Sequence, residues 1–437
     1  MLFGKLLFKP NKLWVIFLFF IFNSCSKNGN KEENFKLTFW SSNNPYEIAH
    51  AIEVVSEWNK TNPDWKIKHQ AIPEGRSSEE VMLSAIVSKT TPDIYSNLWP
   101  GTAQQYVEAN VILRLDTLAS FDSLYTSRIP RELHSQFKSK DGFIYQFPWK
   151  SNPIVLYYNK LLFAEAGIDA PLKTYSEFFS AAEILTKDTD NDGYIDQWMM
   201  DIDFNTEWWH RWFDFYTLFI AASGGNTLLS EKGDISFDSP EGVKVFDFIR
   251  KGFEHGYFPN AFFQGDVFLQ GKVAVHISGP WSVAYYDKFK SADFQYGIMS
   301  IPVPDNYIGE SFTYGDPKNI CIFASSNYPE KAWEFVKFMV SRGNDKRLLE
   351  LTNQLPIRSG LLHDSLFFSY FDKNSTYKLF AEMIPRTVGA DRSIYLQEIF
   401  DIISQEFDEA CVHRLKSSEE AITDAANRCR NLVARED

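Results

Sequence analysis

From Phe35 to Ser96 the chain alternates apolar, β-rich runs with amphipathic helical runs, and this alternation constrains the fold more than any other feature. Phe35–Trp40 is apolar and β-rich, and Pro45–Asn59 has helical spacing with Ile48, Ile52, Val55 and Trp58 along one face. Trp65–Ile72 alternates, Ser77–Ser88 is helical behind a Ser-x-x-Glu cap, and Pro92–Ser96 is a short buried strand. Such repetition predicts an α/β domain built on a mostly parallel sheet. Ligands of sheets of this kind sit beyond the carboxyl ends of the strands. Those ends here are Trp40-Ser41-Ser42-Asn43-Asn44, Ile72-Pro73-Glu74-Gly75-Arg76 and Tyr95-Ser96-Asn97-Leu98-Trp99, which offer aromatic, amide and charged groups. A second α/β region follows Phe147-Pro148-Trp149. With 437 residues, 44% of them hydrophobic, the chain is long enough to bury two ordinary domain cores.

The N-terminus carries an address. Lys5, Lys9 and Lys12 precede an apolar run from Leu13 to Phe22, and Asn23-Ser24-Cys25 follows. A spanning helix needs ~20 apolar residues, so the run reads as a secretory signal, residues 1–24, and not as an anchor. Cleavage would leave Cys25 at the new N-terminus as the lipidation site, and the polar residues 25–34 read as a flexible tether. Phe22 stands where a lipobox usually has leucine. Losing the three lysines of residues 1–24 takes the formal charge from −13 to −16. That sign disfavours nucleic acid and leaves lipid as the only expected membrane contact. The protein is expected in the cell envelope, facing the periplasm or the exterior, and Lys31-Glu32-Glu33 leaves open which membrane holds it.

Aromatic residues make up 16% of the chain, including 12 Trp and 20 Tyr. Trp40, Trp99, Trp149, Trp208, Trp209 and Trp281 sit at loop-like points among Gly, Pro, Ser, Asn or charged neighbours. Sugar rings present flat C–H faces and a hydroxyl rim, so a site for them combines aromatic platforms with carboxylates, amides and guanidinium groups. Singly, each tryptophan reads better as a core anchor, and only the group points to a sugar site. The run Lys187–Asp196 places Asp188, Asp190, Asp192, the Tyr194 carbonyl and Asp196 at the spacing of an EF-hand-type loop, with Gly193 at the turn. Position twelve is Met199, so a structural Ca2+ there would need Asp201 or Glu183 to complete its shell. No organic cofactor is expected. Nucleophile-elbow, zinc-protease and dinucleotide motifs are missing from the sequence. The eight histidines are scattered and read as structural or exposed. Cys321, Cys411 and Cys429 remain beside Cys25. Cys411 and Cys429 flank a helix–turn–helix with a capping box at Ser417, which leaves open either a disulfide or two buried thiols.

Together the segments resemble a family. Lys36–Ser41 with Glu57-Trp58-Asn59-Lys60 and Asn62-Pro63 is similar to the start of a family 1 extracellular solute-binding protein. So are Thr91–Tyr95, Tyr145–Trp149 with Leu156–Lys160, Ala222–Gly225 and Phe268–Ala274 running into Gly279-Pro280-Trp281. Ala332–Phe338 and Gln354–Arg358 complete the set. These are carbohydrate-binding lipoproteins of ABC importers, with a fold like that of maltose-binding protein. The resemblance implies a non-enzymatic α/β protein with two lobes, a hinge and an interlobe cleft. Lobe one would hold residues 35–146 and 313–360, and lobe two residues 147–312 and 361–437. By position, the family's ligand contacts fall on Trp40, Asn43, Glu74 and Asn97 in lobe one. They fall on Trp149, Asn152, Trp208, Trp209, Arg211, Trp281 and Tyr395 in lobe two, and on Asp316 where the chain recrosses. The expected partners are a carbohydrate, expected to be an oligosaccharide, and ABC permease subunits, with the binding protein a monomer. An exported glycan-active hydrolase, or a surface glycan-capture lipoprotein without its own permease, is the competing reading.

Overall fold

The computed structural model describes residues 34–75 and 77–434. The signal, residues 25–33 of the tether including Cys25, and Arg76 lie outside the described residues. The expected alternation is present: β1 (Leu37–Ser41), α1 (Pro45–Thr61), β2 (Ile67–Ala71), α2 (Ser78–Val87) and β3 (Ile94–Leu98) follow in order. The Asn44 side chain caps α1 by accepting from the Tyr46 and Glu47 amides, and Pro45 occupies its first turn. Ser77 caps α2 through the Glu80 amide at 3.1 Å.

One expected helix face is rotated. The buried face of α1 is Glu47, His50, Ala51, Val54, Val55 and Trp58, while Ile52 is exposed. Polar burial explains the shift. Glu47 meets Lys150 at 2.6 Å and accepts from the Gln354 amide at 2.7 Å, so a carboxylate turns inward where apolar periodicity favours isoleucine. A buried ion pair of this kind is retained only when both charges are matched.

Further along come β4 (Phe147–Ser151), β5 (Val155–Asn159), β6 (Trp198–Met200), β7 (Val273–Ser278) and β8 (Tyr296–Met299). The last four strands are β9 (Thr313–Tyr314), β10 (Lys318–Ile322), β11 (Leu355–Pro356) and β12 (Thr387–Val388). They form a six-stranded sheet of order β11-β4-β10-β3-β1-β2, a four-stranded sheet of order β6-β7-β5-β8, and the pair β12-β9. β1 runs parallel to β2 and β3, whereas β10 is antiparallel to β3 and β4. Strand β4 belongs to the six-stranded sheet, so the chain leaves that sheet after Ser151 and not at residue 147.

Two segments cross between the sheets side by side. The Asn152 and Ile154 amides donate to the Gly315 and Tyr314 carbonyls at 2.6 and 3.0 Å. The Gly315 amide donates to Val388 O at 2.9 Å, adding a third strand. A Cβ on Gly315 would stand 2.7 Å from Thr387 Cβ and 3.0 Å from Ser151 Oγ, so only glycine permits this approach. Arg128, fully buried, braces the joint by donating to the Pro148, Trp149 and Ile357 carbonyls and to Asp345. The disulfide alternative is corrected: Cys411 and Cys429 are free thiols, both buried, with Cys411 Sγ directed at the Phe246 carbonyl. The Ser417 capping box is present.

Candidate functional site

The carboxyl end of β3 delivers Trp99 to the middle of the molecule. Its indole N–H donates to the Tyr314 hydroxyl at 2.9 Å. The ring lies edge-on to Trp212 at 4.5 Å and tilted against Trp208 at 5.7 Å. Trp208 meets Trp209, and Trp212 rests on Phe400 at 4.0 Å. Burial of this many aromatic faces fixes the short helix Trp208–Trp212 against strand β3.

Trp281 depends on the glycine before it. A Cβ on Gly279 would fall 2.1 Å from the Trp281 ring, so the Gly-Pro-Trp sequence lets the indole fold back over its own backbone. The ring stays partly exposed and touches Phe213 at 5.9 Å. Together they line a cavity of about 290 Å³ whose remaining walls include Asp201, Asp203, His210, Asp214, His276 and Ser278. A second, larger groove of about 760 Å³ runs beside β12, but Phe312 is its only aromatic wall.

Polar groups in the first cavity are paired by register. β6 runs parallel to β7 with Met200 opposite Val275, so the next residues, Asp201 and His276, meet at 2.9 Å. Burial pulls His276 down, yet the charge and hydrogen bond of Asp201, with Asp266 behind, leave it above the usual histidine range. Asp203 meets His210 at 2.7 Å. Burial would raise Asp203, but the His210 bond, the Asn205 amide and the His210 and Arg211 charges hold it below the usual carboxylate range. Arg211 is enclosed, 3.0 Å from Asp214, with its guanidinium over the Phe407 ring. Burial dominates at Asp214 and pushes it up to about 6, against Arg211 and the Phe215 amide. Across the hinge, Lys318 meets Asp316 at 3.0 Å.

The expected site residues therefore divide. Trp208 packs on Trp99 and Trp209 on Trp208, the Tyr314 hydroxyl donates to Asp316 at 3.4 Å, and Trp281 lines the cavity. Arg211 acts from behind, where it donates to the Asp203 and Asn205 carbonyls and positions their loop. Trp149 is 2% exposed, sandwiched near His50 and under Lys150 Nζ, and presents no stacking face. Asn152 is buried in the hinge, where its amide donates to Asp316 O. Trp40 is half-buried beside the β3 core, and Asn97 reaches Ser78 Oγ at 3.4 Å. Asn43 and Glu74 stand exposed on the loops after β1 and β2. Tyr395, half-buried, heads the helix Leu396–Phe407 that supplies Phe400. His210 and His276 line that cavity, paired with Asp203 and Asp201. The parallel register of β6 and β7 was the signal that would have found His276.

In the acidic loop, carboxylate oxygens of Asp188, Asp190 and Asp196 lie within 4.8 Å of one another. Asp188 also accepts from the Asn191 and Gly193 amides, and these bonds hold it below the usual carboxylate range. The Asp192 carboxylate is not part of that cluster. Asp201 is bonded to His276 and is not in that cluster.

Residues 53–367 match the family model described as bacterial extracellular solute-binding protein, and the chain belongs to that family. It is 24% identical to a maltotriose-binding protein of Pyrococcus abyssi over 75% of this chain and 68% of that one. It is 27% identical to a galactooligosaccharide-binding protein of Bacillus subtilis over 78% of this chain and 77% of the other. Among solved structures, a protein of Listeria monocytogenes EGD-e superposes with a TM-score of 0.80 at 28% identity, covering 92% of this chain and all of that one. A cyclic alpha-maltosyl-1,6-maltose binding protein from Arthrobacter globiformis gives 0.78 at 21% identity, over 92% and 99% of the two chains. The fold is the two-lobed one of periplasmic binding proteins.

Proposed function

We propose that this protein captures an uncharged carbohydrate between its lobes and delivers it to an ABC permease while held to a membrane by lipid on Cys25. The observation that carries the ligand class is the charge balance of the Trp281–Phe213 cavity. Both histidines on its wall face carboxylates, His276 with Asp201 and His210 with Asp203, and Arg211 behind it faces Asp214. Such a wall offers acceptors to hydroxyl groups and an aromatic face to a sugar ring, while a phosphate would meet three carboxylates. An sn-glycerol-3-phosphate-binding periplasmic protein is among the relatives, so a phosphate ester is the competing ligand chemistry. Binding energy drawn from both lobes closes the hinge, and the permease reads the closed state.

Thermal-shift titration tests this reading with two sets of ligands: neutral oligosaccharides, and sn-glycerol-3-phosphate with glycerophosphocholine. A ligand that binds only the folded state raises the melting temperature. A rise with a neutral sugar alone supports the reading, and a rise with the phosphates alone overturns it. Release of shortened glycans during incubation would instead support an exported hydrolase. We also propose that the loop 188–196 takes up Ca2+ in a structural role, supported by the three converging carboxylates.

A further inference from the structure

The two imidazoles on the cavity wall are engaged differently. His210 has a carboxylate at each ring nitrogen, Asp203 at 2.7 Å from Nδ1 and Glu207 at 3.6 Å from Nε2. His276 uses only Nδ1, which meets the two oxygens of Asp201 at 2.9 and 3.0 Å. Its Nε2 has no hydrogen-bond partner among the described residues, yet the side chain lines the cavity and is 27% exposed. Asp201 accepts, so Nδ1 keeps its proton in both charge states and only Nε2 gains or loses one. Strand β7 sets the ring beside β5, where Tyr157 stands opposite in register. Phe268 stacks on it at 6.0 Å, and Tyr286 meets it edge-on at 6.4 Å. Burial raises both phenols, so neither titrates beside the imidazole near neutral pH. Burial also opposes the imidazolium, but Asp201 and then Asp266 outweigh it. The same cavity holds Asp203 with His210, and Asp214 with Arg211 behind.

We propose that capture of a sugar in this cavity takes up a proton at His276 Nε2, so that the protein holds its ligand more tightly in neutral than in alkaline surroundings. The inference rests on the carbohydrate reading. A neutral sugar lying over the ring removes water from Asp201 as well as from the imidazole. With Nε2 bare, the sugar covers a lone carboxylate. With Nε2 protonated, it covers a matched ion pair, whose attraction grows as water leaves. The Nε2–H is also free to donate a charge-assisted hydrogen bond to a sugar oxygen. Both effects raise His276 further in the complex than in the free protein. The gain in affinity is therefore full below the free protein's value and is lost as pH rises through that of the complex.

The test is calorimetric titration with neutral malto-, galacto- and arabino-oligosaccharides, each run at about pH 7.5 in phosphate and in Tris, whose ionisation heats differ. The dependence of the binding heat on buffer counts the protons exchanged. For a glycan that binds, the expected result is net uptake of a fraction of a proton, with affinity roughly threefold weaker at about pH 8.5 than at about pH 7. That range lies above the titration of Asp214, which burial pushes up to about 6. His276→Gln keeps an amide donor but cannot titrate, and it should bind without uptake. Asp201→Asn keeps the imidazole but removes the charge that favours its protonation, so its uptake should move to lower pH; this variant decides the matter if His276→Gln does not fold. No uptake by the wild type, release of a proton, or uptake that persists unchanged in the folded variants overturns the proposal and leaves the carbohydrate reading standing. No heat with any glycan overturns both.

Discussion

Trp281 shows how a single residue's chemistry is set by its neighbour. Gly279 gives the indole room to fold back, Phe213 packs against it edge-on, and the half-buried ring lines the cavity. Replacing Trp281 by Ala should weaken sugar binding by ~2 kcal/mol, about thirtyfold in dissociation constant, because a stacked anchor carries that much. Calorimetry that finds the affinity unchanged would remove Trp281 from the site. This position was legible in the sequence because Gly-Pro-Trp is a local motif. Trp149 was not, since nothing adjacent to it reveals that Lys150 and His50 close over its ring. Local residue chemistry marks a candidate, but burial by distant segments decides which face remains.

At the scale of elements, the alternation around Phe35–Ser96 was legible because each strand and helix carries its own periodicity and cap. β6 is only three residues long, too short to alternate, so the pairing of Asp201 with His276 follows from register with β7 and from nothing local. The acidic loop is the reverse case, readable from spacing alone, though its twelfth position is the buried Met199 and Asp201 is already engaged. Adding Ca2+ should raise the melting temperature, and Asp188→Asn should abolish that rise with little effect in chelator. A melting temperature indifferent to Ca2+ in the wild type would refute the loop as a metal site. The thiols follow the same logic. Capping chemistry located the helix Ser418–Val433, but its packing keeps Cys429 and Cys411 as separate buried groups.

At the scale of the whole molecule, two sheets are joined by a hinge of crossing strands, and two histidines in the six-stranded half make stability depend on pH. Burial, with Lys150 and Arg347 nearby, holds His50 down at about 4 against the Asn344 backbone and Glu47. Burial likewise holds His69 at about 4. Both are lowered from 6.5, so between these values the unfolded chain binds more protons than the folded one. Stability is therefore lost as pH falls from about 6.5 to about 4. Melting curves across that window should show the decline, and His69→Gln should flatten part of it; a slope unchanged by the substitution contradicts the assignment. The sheet order and the hinge were foreseeable only through family resemblance, because strands such as β4 and β10 pair across long sequence separations.

The central claim is that the cleft captures an intact, uncharged sugar. Calorimetric titration with a panel of neutral oligosaccharides, followed by chromatography of the recovered sugar, tests it most directly. The account predicts saturable one-to-one binding with at least one of them, at micromolar strength or tighter, and recovery of the sugar uncut. No heat of binding across the panel, or recovery of cleaved product, would contradict it.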